Sequence, residues 1–232
     1  FLNGRRIRRC TYMELKRMNL NRRDFSLAAA ALAAGPTAIL MPLSAHAQAA
    51  KPQAGRDYQV LDQSAAVEAP AGKIEVVEFF SYMCPHCNAF EPTISAWMKG
   101  VPKHVAVRRV PVHFLPNAEV LQRTYYALEA HNLLEKLHAS IFVAVHTERR
   151  DFSKPALMAD WVAAQGVDKA KFMDQYNSFT TATKMTRATQ LTNAYKVEGV
   201  PAMGVAGRFL TEGTTKGLQV VDALVADIKA GR

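Results

Sequence analysis

The residues of this 232-residue chain that point most directly to chemistry are two cysteines two residues apart, in Cys84-Pro85-His86-Cys87. They follow Lys73-Ile74-Glu75-Val76-Val77-Glu78-Phe79-Phe80, a β-branched and aromatic run that predicts a buried strand. From Pro85 a helix is predicted through Trp97, with Phe90, Ile94 and Trp97 on one face and a kink at Pro92. Two cysteines so placed can close a small disulfide ring, with Cys84 at the helix N-terminus. Unpaired N–H groups and the positive end of the helix dipole then face its sulfur and favour thiolate over thiol. His86, inside the ring, adds a donor and, when protonated, a positive charge. Each tenfold preference for the thiolate stabilises the reduced form by about 1.4 kcal/mol, or ~30 mV for a two-electron couple. Such a disulfide is eager to be reduced, so it oxidises other proteins' thiols, and Cys84 becomes the better leaving group.

Two other readings compete. A structural disulfide would be indifferent to the residues between its cysteines and rarely spans only two. A zinc site needs two more ligands, and no second cysteine pair exists. His104, His113, His131, His138 and His146 are scattered without ligand spacing. Redox chemistry is therefore the reading carried forward, with no metal site and no organic cofactor expected. The remaining histidines of the middle region are expected to face solvent or to cap helices. A second feature is Glu198-Gly199-Val200-Pro201-Ala202-Met203, where Pro201 opens a predicted strand and its missing N–H is tolerable. Composition alone favours an ordinary trans peptide there, because only about 5–6% of X–Pro bonds are cis.

The elements that must position these groups follow from periodicity. Tyr58–Leu61 predicts a short edge strand, and Val105–Val110 a second buried strand ended by Pro111. Helical spacing then takes over. It runs through Leu134, Leu137, Ile141 and Val145, and through Leu157, Met158, Trp161 and Val162 after Ser153 and Pro155. It continues in Phe172, Tyr176 and Phe179, and in Ala188, Leu191 and Tyr195 before Gly199. Residues 202–206 and 208–211 predict a hairpin around Gly207, and Val221, Leu224, Val225 and Ile228 a closing amphipathic helix. The result is an α/β fold interrupted by a helical block. The expected boundaries are 48–112 for the first part with the cysteine motif, 113–188 for the helical insertion, and 189–232 for the second part.

Charge excludes one class of function. The chain carries +9, but residues 1–47 hold eight basic and two acidic residues, a net +6, which leaves +3 over residues 48–232. That is no electrostatic footprint for nucleic acid. Apolar content of 49% with 12 glycines and 11 prolines excludes a disordered or collagen-like chain, and three cysteines are too few for a disulfide-rich mini-protein.

Residues 1–47 predict an export signal. Asn21-Arg22-Arg23-Asp24-Phe25-Ser26 precedes a small and apolar run, Leu27–Leu43, which ends at Ala45-His46-Ala47, a small-x-small cleavage pattern. The paired arginines followed by Phe25 resemble a twin-arginine signal; a general secretory signal is the alternative. Gly35, Pro36 and Pro42 argue against an uncleaved membrane anchor. Met18 would give a signal of ordinary length, so residues 1–17, Cys10 included, are expected to be upstream of the true start. Cleavage after Ala47 would leave Cys84 and Cys87 as the cysteines of a protein working where disulfides persist.

Three stretches together carry a resemblance. They are Glu78-Phe79-Phe80-Ser81-Tyr82-Met83-Cys84-Pro85-His86-Cys87, then Phe90-Glu91-Pro92, then Gly199-Val200-Pro201-Ala202-Met203. In these the chain resembles the DsbA family of periplasmic thiol:disulfide oxidoreductases in the thioredoxin superfamily. DsbA is itself a standard instance of an acidic cysteine and a strong oxidant, so that tendency comes with the resemblance. The resemblance implies a thioredoxin fold with an inserted helical subdomain. It implies Cys84 as nucleophile, Cys87 as buried resolving cysteine, and His86 and Pro85 as the residues between them that tune the thiolate. It implies a cis Pro201 beside the disulfide, with Val200 backbone groups pairing with an extended substrate. Glu78 matches a buried acid beneath the site, and Arg109 stands where the family usually has a lysine. An arginine will not release its proton, a departure from the family pattern that bears on proton handling during reduction; from the residues alone, Glu78 could equally be an exposed charge at a strand end. Met83, Phe90 and Met203 are candidates for an apolar substrate groove, because methionine adapts to varied surfaces, with core packing the favoured role for at least Phe90.

The function expected is a monomeric periplasmic dithiol oxidase. It would donate the Cys84–Cys87 disulfide to reduced, unfolded exported proteins and be reoxidised by a DsbB-type, quinone-linked membrane oxidase. One rival is a disulfide isomerase or reductase, although residues 48 to about 72 are too short for the dimerisation domain that isomerases of the superfamily usually carry. Another is a peptide-binding chaperone with an incidental redox motif.

Overall fold

The computed structural model describes residues 51–232. The expected export signal, with Arg22, Arg23, Cys10 and Ala47, lies outside the described residues. The chain forms, in order, β1 (Gln59–Val60), β2 (Ile74–Phe80), α1 (Pro85–Gly100), β3 (Val105–Pro111) and α2 (Ala118–Ala130). Then come α3 (Leu134–His146), α4 (Pro155–Ala164), α5 (Lys169–Tyr176), α6 (Phe179–Ala194), β4 (Ala202–Val205), β5 (Phe209–Glu212) and α7 (Thr215–Lys229).

The five strands make one sheet in the order β1-β5-β4-β2-β3. β2 runs parallel to β3 and antiparallel to β4, so strands from before and after the helical block lie side by side. This is the thioredoxin fold, with helices α2–α6 inserted between β3 and β4. β2 is buried along nearly its whole length, Glu75 and Glu78 included, which is why its apolar residues do not alternate with exposed ones. Val76 packs with Phe90 and Ile94 of α1 and with Val221 and Leu224 of α7. Val77 and Phe79 instead join Leu191 and Tyr195, at the end of α6, and the Phe79 and Tyr195 rings lie 5.1 Å apart. Gly204 in β4 lies beneath the same tyrosine; a Cβ there would sit 2.5 Å from the Tyr195 ring.

The element order matches the sequence reading, with differences in the helical block. α2, with Val120, Leu121, Tyr125 and Leu128 buried, is an additional helix. Phe179 does not continue the face of Phe172 and Tyr176. α5 stops at Tyr176, Ser178 caps a new helix by accepting from the Thr181 N–H, and Phe179 is 87% exposed. α6 then runs to Ala194, past position 188, and carries the chain from the helical block back to the sheet. Pro92 lies within an α1 that continues to Gly100. Among the described residues no helix is long and apolar enough to cross a membrane.

Candidate active site

β2 delivers the chain to Ser81, and α1 begins at Pro85, so the motif lies where a strand feeds a helix. Pro85 suits the first helical position: its φ is preset and its absent N–H would have had no partner there. Cys84 is the N-cap, with φ −85° and ψ 117°, and its carbonyl accepts the Asn88 N–H at 3.1 Å. Its sulfur therefore stands at the end where α1 presents unpaired N–H groups. One turn on, Cys87 faces inward and is 1% exposed, while Pro85 and His86 are exposed. Both cysteines are free thiols.

The loop after α6 closes the site from the other side. The Val200–Pro201 peptide is cis, and the Cys84 thiol donates to the Val200 carbonyl at 3.3 Å. The Gly213 N–H, in the turn between β5 and α7, donates to the Pro201 carbonyl at 2.8 Å. A groove of about 1240 Å³ opens beside the motif, lined among others by His86, Ala89, Phe90, Val200, Pro201 and Lys216. Of the groove residues expected from sequence, only Phe90 lines it. Met203 is fully buried between the sheet and α7, and Met83 packs against the core that contains the helical block.

Beneath the cysteines lies a buried polar network. The parallel register of β2 and β3 sets Glu78 opposite Arg109. Arg109 Nε donates to Glu78 Oε2 at 2.7 Å, and its Nη2 donates to both oxygens of Glu91 at 3.0 Å and to Ser95 Oγ at 3.1 Å. Ser95 in turn donates to Glu91. Burial pushes the Glu78 carboxyl up to about 7, against the charge of Arg109. Burial also drives the Cys87 thiol far above its ordinary range, with the charges of Cys84 and Glu78 adding to it. Glu91 is also buried, but hydrogen bonding from His138 and the charge of Arg109 hold it below the usual carboxylate range.

Glu91, Ser95, Tyr82 and His138 are the members of this site that the sequence reading missed. Cys87, Glu91 and Ser95 recur at four-residue spacing and so share one face of α1, a signal available in the sequence. The expectation that the histidines of the helical block face solvent or cap helices fails for His138, which is 4% exposed. Its position next to Leu137 on the apolar stripe of α3 is the reason. No group of three or more His, Cys, Asp or Glu side chains arranged to hold a metal occurs among the described residues.

The raised Glu78 acid gives a pH-dependent prediction. Its folded value, about 7, lies above its ordinary one, so protonated Glu78 is accommodated fully at low pH. The cost of ionising it grows as pH rises through about 4.5 to 7 and is complete above that range. Glu78→Gln should therefore raise unfolding stability by about 2 kcal/mol at pH 8 and hardly at all at pH 4. Arg109 keeps Glu91 as its partner in that variant, so no buried charge is orphaned. Urea unfolding of the reduced protein at the two pH values checks this; a gain independent of pH would count against it.

A thioredoxin-fold sheet, a Cys-x-x-Cys at the start of its first long helix and an X–Pro loop touching the outer sulfur define a dithiol–disulfide oxidoreductase. Comparison with known proteins agrees. The family model described as DSBA-like thioredoxin domain matches residues 75–229. The thiol:disulfide interchange protein DsbA of Burkholderia cepacia is 40% identical over 193 residues, covering 80% of this chain and 90% of that one. That of Pseudomonas aeruginosa is 39% identical over 189 residues, covering 79% and 89%. The crystal structure of Pseudomonas aeruginosa DsbA superposes with a TM-score of 0.73 at 38% identity, covering 78% of this chain and 96% of that one. The chain belongs to the DsbA family of thioredoxin-fold proteins, and its activity is thiol:disulfide interchange.

Proposed function

We propose that this protein is a periplasmic dithiol oxidase that gives its Cys84–Cys87 disulfide to reduced, unfolded exported proteins. The observation that carries this is the contrast between the two sulfurs. Cys84, 7% exposed, caps a helix N-terminus beside the groove, whereas Cys87 is 1% exposed and its thiol resists ionisation.

A client thiolate attacks Cys84 Sγ, a client–Cys84 disulfide forms, and Cys87 leaves. The Cys87 sulfur then takes up a proton, because its thiol form is strongly preferred. Glu78, with its carboxyl near neutrality, is the group that supplies it; Arg109 keeps its own proton and holds Glu78 in place. A second client thiolate attacks the client sulfur of the mixed disulfide and expels Cys84 as thiolate, which the α1 N-terminus and His86 stabilise. Two electrons pass from the client dithiol to the enzyme pair. Val200 and Pro201 border the groove, and Val200 backbone groups would pair with an extended client segment as an added strand. The chemistry is that of sulfur alone and calls for no metal or organic cofactor.

Residues 1–47 are an export signal removed on the way out. Residues 48–112 and 189–232 build the thioredoxin unit around the insertion at 113–188. A DsbB-type, quinone-linked membrane oxidase restores the disulfide. The protein acts as a monomer and has no nucleic-acid partner.

The test is transfer to a client. The oxidised, signal-free protein is mixed with a reduced unfolded protein bearing two cysteines. Stoichiometric loss of client thiols with appearance of a client disulfide is expected. A protein that instead reduces or only reshuffles client disulfides would be the isomerase or reductase. One that prevents client aggregation equally well after Cys84→Ser would be the chaperone.

A further inference from the structure

Tyr82, two residues before Cys84, is held from outside the thioredoxin unit. Its hydroxyl lies 2.7 Å from His138 Nδ1, and its carbonyl accepts from His146 Nε2 at 2.9 Å. Both histidines belong to α3 of the inserted block, eight residues apart with Phe142 midway, so the three share one helix face. The Phe142 ring lies 5.0 Å from that of Tyr82 and stacks on His146 at 6.3 Å. Phe80 closes the other side, 5.1 Å from both Tyr82 and His138. Tyr82 is 1% exposed.

Proton positions follow from the partners. His138 Nε2 lies 3.2 Å from Glu91 Oε2, a carboxylate, so Nε2 carries a proton and donates. Burial keeps the ring from taking a second proton, so Nδ1 accepts and the Tyr82 hydroxyl donates. His146 must donate from Nε2, because a carbonyl can only accept.

On the sheet side the same loop is held by Ser81. Its carbonyl accepts the Cys84 N–H at 3.1 Å, and its hydroxyl accepts the Met83 N–H at 3.2 Å. The segment that aims Cys84 is thus fixed between β2 and α3.

We infer that His146 and His138 are positioning residues for the redox reaction: through Tyr82, the inserted helical block holds Cys84 against the N-terminus of α1. Helix N–H groups stabilise a thiolate only while they are directed at it. Without the tie, the loop keeps its Ser81 bonds, the Asn88 N–H on the Cys84 carbonyl and the Cys84 thiol contact to Val200, but loses its hold on α3. The well-aimed geometry is then populated less, and the reduced form loses part of its stabilisation. This inference rests on the redox reading of Cys84 and Cys87.

The test measures the equilibrium constant for reduction by glutathione in the parent and three variants, with thermal unfolding beside it. His146→Leu removes the donor, and the constant should fall about 3- to 10-fold, up to ~30 mV. His146→Gln, whose amide N–H can reach the same carbonyl, should come within twofold of the parent. Tyr82→Phe keeps the ring and loses only the hydroxyl, and should lower the constant 2- to 3-fold. If His146→Leu does not fold, Tyr82→Phe decides. Variants that unfold at lower temperature yet keep the parental constant within 1.5-fold would overturn the inference and leave α3 a merely structural support. A parent that does not exchange with glutathione at all would instead sink the redox reading.

Discussion

Cys84→Ser should abolish disulfide transfer, lowering the rate by a factor on the order of 10³ or more, because Cys84 is the sulfur that meets Val200 at the groove's edge while Cys87 lies beneath. Cys87→Ser should abolish turnover as well, but by a different route. In that variant the Cys84 thiolate can still attack a disulfide of an oxidised client, giving a client–Cys84 disulfide and a free client thiol, yet nothing inside the protein can resolve the product. A covalent adduct between this variant and a client, reversed by reductant, should therefore accumulate on a non-reducing gel, and Cys84→Ser should give none. The asymmetry follows from the positions of the two sulfurs: Cys84 donates to the Val200 carbonyl at the groove, and Cys87 lies beneath, 1% exposed. Equal adduct formation by both variants would mean that the roles have been assigned to the wrong sulfurs.

The second large effect is expected at a residue that does no chemistry. A Cβ on Gly213 would sit 2.5 Å from the Pro201 Cβ and 2.8 Å from its carbonyl carbon. Neither neighbour can yield by rotating a flexible chain, so either Pro201 or the β5–α7 turn must move. Pro201 is tied to that turn by the Gly213 N–H and is the neighbour of Val200, whose carbonyl meets Cys84. Gly213→Ala should therefore slow client oxidation at least tenfold and cost about 1–3 kcal/mol of stability. The measurement is the second-order rate of transfer, with urea unfolding in parallel. A rate within twofold of the parent would show that the position of the proline loop matters little to exchange.

Much of the site was legible in the sequence because it is local. A β-branched run followed at once by Cys84-Pro85 specifies a strand, an N-cap and a first helical residue within a dozen positions. The charge opposite Glu78 was legible from resemblance, and the parallel register supplies its physical form, with Glu78 directly across from Arg109. What stayed hidden depends on tertiary contact. His138 and His146 read as polar residues on an ordinary helix. Only the fold brings α3 onto the loop before the motif, 56 and 64 residues away in sequence.

α2 was legible but not read: Asn117 is a favoured N-cap type, and Val120, Leu121, Tyr125 and Leu128 follow at helical spacing, although in the structure Asn117 sits at φ 56° and makes no side-chain capping bond. Met203 looked like a groove residue because methionine adapts to varied surfaces. Strand alternation at β4 turns it inward instead, opposite Glu78 in the register of β2.

The central claim is that this disulfide prefers to be reduced, and its equilibrium with glutathione tests that most directly. The purified protein, freed of residues 1–47, is held in buffers of graded glutathione potential, and the fraction of oxidised Cys84–Cys87 is counted by thiol trapping. The account predicts a pair almost wholly reduced in a buffer poised at roughly −180 to −210 mV, with its midpoint at a clearly more oxidising potential. A disulfide that survives intact in that buffer would contradict it.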